Sequence, residues 1–189
     1  DHLAGGRFIL GAGMGWAKEE FEVLGMPSDR RGVRFEEGLR LTRKLWTEDW
    51  VDGFKGDFYE VDGWTSRPQP PRHVPIWLGG DSPQQMRRIG ELADGWLTHG
   101  SYLNNAQDAM APAREAAVKA GRDPEALVIA MTGIALLASD RLEQLHERLS
   151  RAREAGVGHA IVGLHPAELQ QAPDLMQHFA EDHFAELKA

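Results

Sequence analysis

No cysteine occurs in the chain, which removes disulfides, thiolate nucleophiles and cysteine-ligated metals together and fits a reducing compartment. No apolar run is long enough to cross a bilayer, and the opening DHLAGGRF lacks the charged start and apolar stretch of a signal peptide. The expectation is a cytoplasmic protein with no membrane partner. Positive charge is the scarcer sign: 21 Lys and Arg against 29 Asp and Glu give a formal net charge of -8, with no basic stripe of the kind that tracks a phosphate backbone. Nucleic acid is therefore not an expected partner. The 8 histidines include no HExxH and no pair at a spacing of four, so no metal site is expected. His178 and His183 read as a solvated helix face. No serine sits in a GxSxG elbow, which removes the usual α/β-hydrolase signal.

What is present is a globular composition, 42% hydrophobic and 26% charged over 189 residues, enough for a real core in one domain. RFILGAGMGW opens with a short apolar run closed by alternating glycines, the writing of a buried strand that ends in a loop. RRGVRFEEGLRLTRKLWTE places Phe35, Leu39, Leu45 and Trp46 near one face at helical spacing, predicting a helix over 30 to 48. Residues 52 to 74 then mix aromatics with Gly and Asp turn signals and run into a proline cluster, which predicts a surface excursion built around a hairpin. From Pro75 the chain alternates: PIWLGG, DGWLTHG, ALVIAMTGIALL and HAIVGL as strands, separated by amphipathic segments. Near-continuous apolar strands alternating with helices mean parallel strands covered by helices. Five strands are expected in all, counting RFILGAG. A strand that reads as buried needs neighbours on both sides, and a closed eight-stranded barrel takes about 250 residues. An incomplete barrel with two open sheet edges is the expected reading, and open edges favour self-association.

In parallel α/β folds chemistry gathers at the carboxyl ends of the strands. Those ends read GAGMGW, GGDSP, THGSY, LASD and GLHP. In GGDSP, Gly79 and Gly80 let the backbone approach a phosphate while N–H groups near Ser82 point at it from a helix start. The same residues also make a plain strand-to-helix turn, with Ser82 as N-cap and Pro83 as first helical residue. Asp81 adds a negative charge that a phosphate site has to turn outward. GAGMGW is not the dinucleotide fingerprint, whose third glycine comes three residues after the second. Trp16 there either forms an aromatic wall for a flat ring or packs under the following helix. His99 follows a strand, where either a mouth-lining or a packing histidine belongs. Glu19 and Glu20 read as an acidic helix start as readily as a general base.

Taken in order, LAGGRFILGAGMGWAKEEFEVLG, RGVRFEEGLRLTRKLWTED, FKGDFYEV, RPQPPRHVPIWLGGDSPQQMRRIGELADGWL and EAGVGHAIVGL resemble the luciferase-like monooxygenase family, and most closely the branch that uses the deazaflavin coenzyme F420. The resemblance runs along nearly the whole chain. It implies a TIM-barrel (β/α)8 fold, present as about strands 4 to 8, within a single domain over 1–189 whose first strands are missing and whose residues 52–74 are an insertion after the first helix. It implies coenzyme F420, or alternatively FMN, across the strand ends, its phosphate near Gly79, Gly80, Asp81 and Ser82. Gly13, Gly15 and Trp16 match the loop that flanks the cofactor. Thr98, His99 and Gly100 match positions lining its tail or the substrate space. The family's catalytic residues on the early strands have no counterpart in this sequence. Implied with these are hydride transfer to or from a small organic substrate and a homodimer. A non-catalytic cofactor-binding or assembly module derived from the same fold is the alternative. A phosphate-binding isomerase or lyase would show a lysine or paired carboxylates at the strand ends, and none is convincingly placed.

Overall fold

In the computed structural model, residues 1–138 and 141–188 are described, with side chains through residue 181. Ser139 and Asp140 of the LASD strand end, and the side chain of His183, lie outside the described residues. The chain divides into two units, Asp1–Ile76 and Trp77–Ala189.

The first unit contains a short strand β1 (Leu10–Ala12), helices α1 (Lys18–Val23) and α2 (Arg31–Thr47), and a hairpin of β2 (Phe54–Lys55) and β3 (Glu60–Val61). The hairpin pairs Phe54 with Val61 antiparallel. It falls in the segment where aromatics alternate with turn residues. Glu37 of α2 ties it down: its carboxylate accepts the N–H groups of Asp57 at 3.0 Å, Phe58 at 3.0 Å and Tyr59 at 2.5 Å, and Arg30 pairs with Asp57. Leu41, Val51 and Val61 form the small core beneath, with Leu45 and Phe54 packed against it. β1 is shorter than its apolar run, and neither it nor Phe8, 42% exposed, is buried as expected. Its backbone bond within this unit is from Leu10 N–H to Pro75 O at 2.9 Å.

The second unit repeats strand and helix: β4 (Ile76–Gly79), α3 (Pro83–Leu92), β5 (Gly95–His99), α4 (Ala106–Lys119), β6 (Val128–Leu137), α5 (Leu142–Glu154), β7 (His159–Leu164) and α6 (Ala172–Lys188). The strands run parallel in the order β4, β5, β6, β7, with Leu78 opposite Trp96, Trp96 opposite Ile129 and Met131 opposite Ala160. Sequential order with a helix between each pair is what right-handed crossovers produce. Leu78, Ile89, Trp96, Met110, Ile129 and Met131 are fully buried between sheet and helices. A second cluster, Leu137, Leu145, Leu149 and Leu175, anchors α5 and α6. β6 slips register between Thr132 and Leu136, a bulge that holds Gly133 with φ of +67°. β7 is the last strand of the sheet, and its first residues, His159 to Ile161, are exposed despite their apolar writing. All carboxyl ends of these strands face the same way, so the turns after β4 and β5 are neighbours.

Candidate functional site

The turn after β4 is built by four consecutive residues. Gly79 ends the strand, and Gly80 takes φ of +96°, a conformation that a side chain resists. Ser82 then starts α3 as N-cap, its Oγ accepting the Gln85 N–H at 3.3 Å, with Pro83 in the first turn. The fully buried Trp96 of β5 donates its indole N–H to Gly80 O at 2.8 Å, which fixes the turn from the neighbouring strand.

Gln85 lies on the buried side of α3, only 1% exposed, and its aliphatic chain runs past Gly80: a Cβ on Gly80 would stand 3.2 Å from Gln85 Cγ. Its Oε1 accepts from Arg88 Nη1 at 3.3 Å, while its Nε2 has no hydrogen-bond partner. A buried amide donor without a partner is costly, on the order of 1 to 3 kcal/mol, unless something supplies an acceptor. Together with the helix start, this is a set of donors rather than acceptors. Asp81, the one negative charge in the turn, accepts a hydrogen bond from the Tyr102 hydroxyl on Oδ2 at 2.5 Å. That hydrogen bond to the Asp81 carboxylate, followed by desolvation and the carboxylate's charge, raises the Tyr102 phenol above its ordinary pKa. The Tyr102 ring meets Trp96 edge-on at 5.0 Å.

Of the other residues that the sequence points to, Thr98 and His99 end β5 in the same unit. Thr98 is buried; His99 is exposed, and its Nδ1 accepts the Ser101 N–H at 3.3 Å, capping the short turn Gly100–Tyr102. That bond leaves the Nε2 edge of the imidazole to carry the proton in the neutral form. Gly13, Gly15 and Trp16 lie in the first unit. Trp16 is 86% exposed, so it does not pack under α1. Gly15, with φ of +75°, is covered by the Phe21 ring, and Gly13 is open. Gly13 and Met14 also border a cavity of about 400 Å³ within this unit, floored by Phe35, Leu39 and Leu45. Gln85, Trp96 and Tyr102 were not singled out by the sequence. Gln85 alone carried a signal, a polar residue beside Met86 and Ile89 on the apolar stripe of α3.

Among the described residues no group of three or more His, Asp or Glu is placed to hold a metal. The turn thus combines a left-handed glycine with a helix start, the kind of backbone that can accept an anion.

A family model of the luciferase-like monooxygenases matches residues 1–186. The chain belongs to the luciferase-like monooxygenase family. Within curated relatives, an F420-dependent glucose-6-phosphate dehydrogenase of Nakamurella multipartita is 36% identical over 121 residues, 62% of this chain and 35% of that protein. An FMNH(2)-dependent dimethylsulfone monooxygenase of Pseudomonas putida is 30% identical over 149 residues, 76% of this chain and 40% of that protein. The chain thus spans well under half the length of these two relatives. Among solved structures, an F420-dependent secondary alcohol dehydrogenase in complex with an F420-acetone adduct superposes with a TM-score of 0.68 at 22% identity, covering 86% of this chain and 65% of that one. That likeness bears on fold. The luciferase-like α/β architecture is of the TIM-barrel type, of which this chain carries part.

Proposed function

We propose that this chain is the cofactor-holding part of an oxidoreductase that uses coenzyme F420, with FMN as the alternative, and acts on a small organic substrate by hydride transfer. The observation that supports the reading is the turn after β4, where Gly80 with φ of +96° leads into the start of α3 beside a buried Gln85 Nε2 that has no hydrogen-bond partner. A bound deazaflavin or flavin supplies the hydride chemistry, which is why the protein residues need not push protons. Gly80 and Ser82 shape the turn and Gly79 leaves room for the phosphate; Asp81 contributes through its backbone. Thr98 and His99 line the space after β5, with His99 Nε2–H as a donor. In the first unit, Gly13 and Gly15 lie in the loop that leads to Trp16, whose indole is exposed and could stack on a planar ring.

The same reading makes residues 52–74 an insertion in a single barrel domain, the intact protein a cytoplasmic homodimer, and nucleic acid and membranes no part of its work. Its net charge of -8 argues against polyanions, and among the described residues no helix is long and apolar enough to cross a membrane. Equilibrium titration of the intact protein with F420 and with FMN, followed by cofactor fluorescence, tests the reading. Tight binding of one of them, with oxidation or reduction of it by a small alcohol, aldehyde or sugar phosphate in a substrate screen, is the expected result. Binding without any turnover would favour the non-catalytic module, and no binding of either cofactor would overturn both.

A further inference from the structure

We propose that Tyr102 is a positioning residue of the turn after β4: by holding the Asp81 carboxylate it keeps that charge off the start of α3 and leaves the N–H donors there free for an anion. The inference rests on the cofactor reading above and adds to it a residue and a reason for the acidic side chain.

Asp81 stands one residue before the N-cap of α3. A carboxylate at that place lies beside the positive end of the helix dipole, and turned toward the start of α3 it would face the same N–H groups as an anion. It is therefore a built-in competitor for a phosphate on the same donors. In the structure it does something else. Its Oδ2 accepts the Tyr102 hydroxyl from the next strand-to-helix segment, at the short distance of 2.5 Å that an ionised acceptor favours.

Tyr102 is itself held from two sides. The turn Gly100–Tyr102 that carries it is capped by His99 Nδ1, and its ring lies edge-on to Trp96 at 5.0 Å with the planes 68° apart. Trp96 in turn donates to Gly80 O. The two aromatic residues thus divide the work on one turn: Trp96 sets its backbone, and Tyr102 directs its charge. A tyrosine that merely packed against Trp96 would have no need of a hydroxyl on a carboxylate.

The discriminating experiment compares the intact protein with Tyr102→Phe, Asp81→Asn and the double variant. Each is titrated with inorganic phosphate, followed by the backbone amide shifts of Gly79 to Gln85, and separately with F420 and FMN. Thermal unfolding without ligand checks the fold. Tyr102→Phe is expected to weaken phosphate binding roughly three- to tenfold, the span of a freed charge at a helix start. Adding Asp81→Asn should restore it to the wild-type value or better. Rescue by removal of a charge is a result that a packing role for Tyr102 does not give. Unchanged binding in Tyr102→Phe, or a loss that Asp81→Asn fails to restore, overturns the proposal. Should Tyr102→Phe unfold, Asp81→Asn alone decides, because it leaves the aromatic packing in place: equal or tighter phosphate binding supports the proposal and weaker binding overturns it. Phosphate binding at these amides with no binding of F420 or FMN would sink the cofactor reading while the variants still judge this one. No shift at these amides with phosphate overturns it outright.

Discussion

Gly79 and Gly80 look alike in the sequence and differ in the structure. A Cβ on Gly79 meets nothing nearer than Leu97 O at 3.8 Å, whereas Gly80 combines φ of +96° with Gln85 Cγ at 3.2 Å. Gly80→Ala should therefore cost stability, about 1 to 2 kcal/mol for a left-handed non-glycine residue, and thermal unfolding measures it. Gly79→Ala should leave the unfolding midpoint within about 0.5 kcal/mol of wild type yet weaken cofactor binding, if the phosphate approaches that backbone. Equal effects of the two substitutions on both measurements would favour a plain turn. Trp16 follows the same logic. At 86% exposed it has little core contact to lose, so Trp16→Ala should leave unfolding nearly unchanged while reducing cofactor affinity several-fold, the size of a stacking contact of about 1 kcal/mol. A strong drop in stability with unchanged affinity would refute the aromatic-wall role. The residue types of the turn were legible in GGDSP because glycine, serine and proline act on their own backbone. Trp96 and Tyr102 were not, because their roles depend on hydrogen bonds between segments that only the parallel sheet brings together; Gln85 showed only as a polar residue on the apolar stripe of α3.

At the scale of elements, the second unit was written plainly. Each apolar run from PIWLGG to HAIVGL became a strand, and each amphipathic segment between them a helix, because punctuation by Gly, Asp, Ser and Pro marks the joints. What the runs did not carry is exposure: β1 and the start of β7 are apolar in sequence yet open, since burial depends on neighbours that composition cannot name. The junction of α3 with α4 illustrates the converse, a tertiary contact that one residue type reveals. A Cβ on Gly90 would meet Ala116 Cβ at 2.6 Å and Ala117 N at 2.7 Å, so the two helices touch almost backbone to backbone through small side chains. Gly90→Ala, which should favour an isolated helix by about 1 kcal/mol, is expected instead to destabilise the protein by roughly 1 to 3 kcal/mol through overpacking. Chemical denaturation measures the sign. A stabilised Gly90→Ala variant would mean that α3 and α4 sit farther apart than described.

On the scale of the molecule, the features without a covering neighbour decide behaviour in solution. β7 ends the sheet, Ile161 on it is 43% exposed, and Val162 and Leu164 border an apolar cavity of about 340 Å³ closed by Met176 and Phe179 of α6. An edge strand offers unpaired N–H and C=O groups, and adjoining apolar surface makes pairing with another chain favourable. In the first unit, Leu3, Val23, Leu24, Trp50 and Trp64 are each more than half exposed as well. The net charge of -8 opposes association only over distances that salt screens. The 189-residue chain is therefore expected to self-associate, with a light-scattering mass above the 21.0 kDa monomer that rises with concentration and with salt. Ile161→Lys places a charge on the edge strand, a device by which sheet edges resist pairing, and should lower that mass at equal concentration without changing the far-ultraviolet circular dichroism. A monomer mass for the unmodified chain at every concentration and salt level would show that β7 is protected as it stands, and the lysine variant would then make no difference.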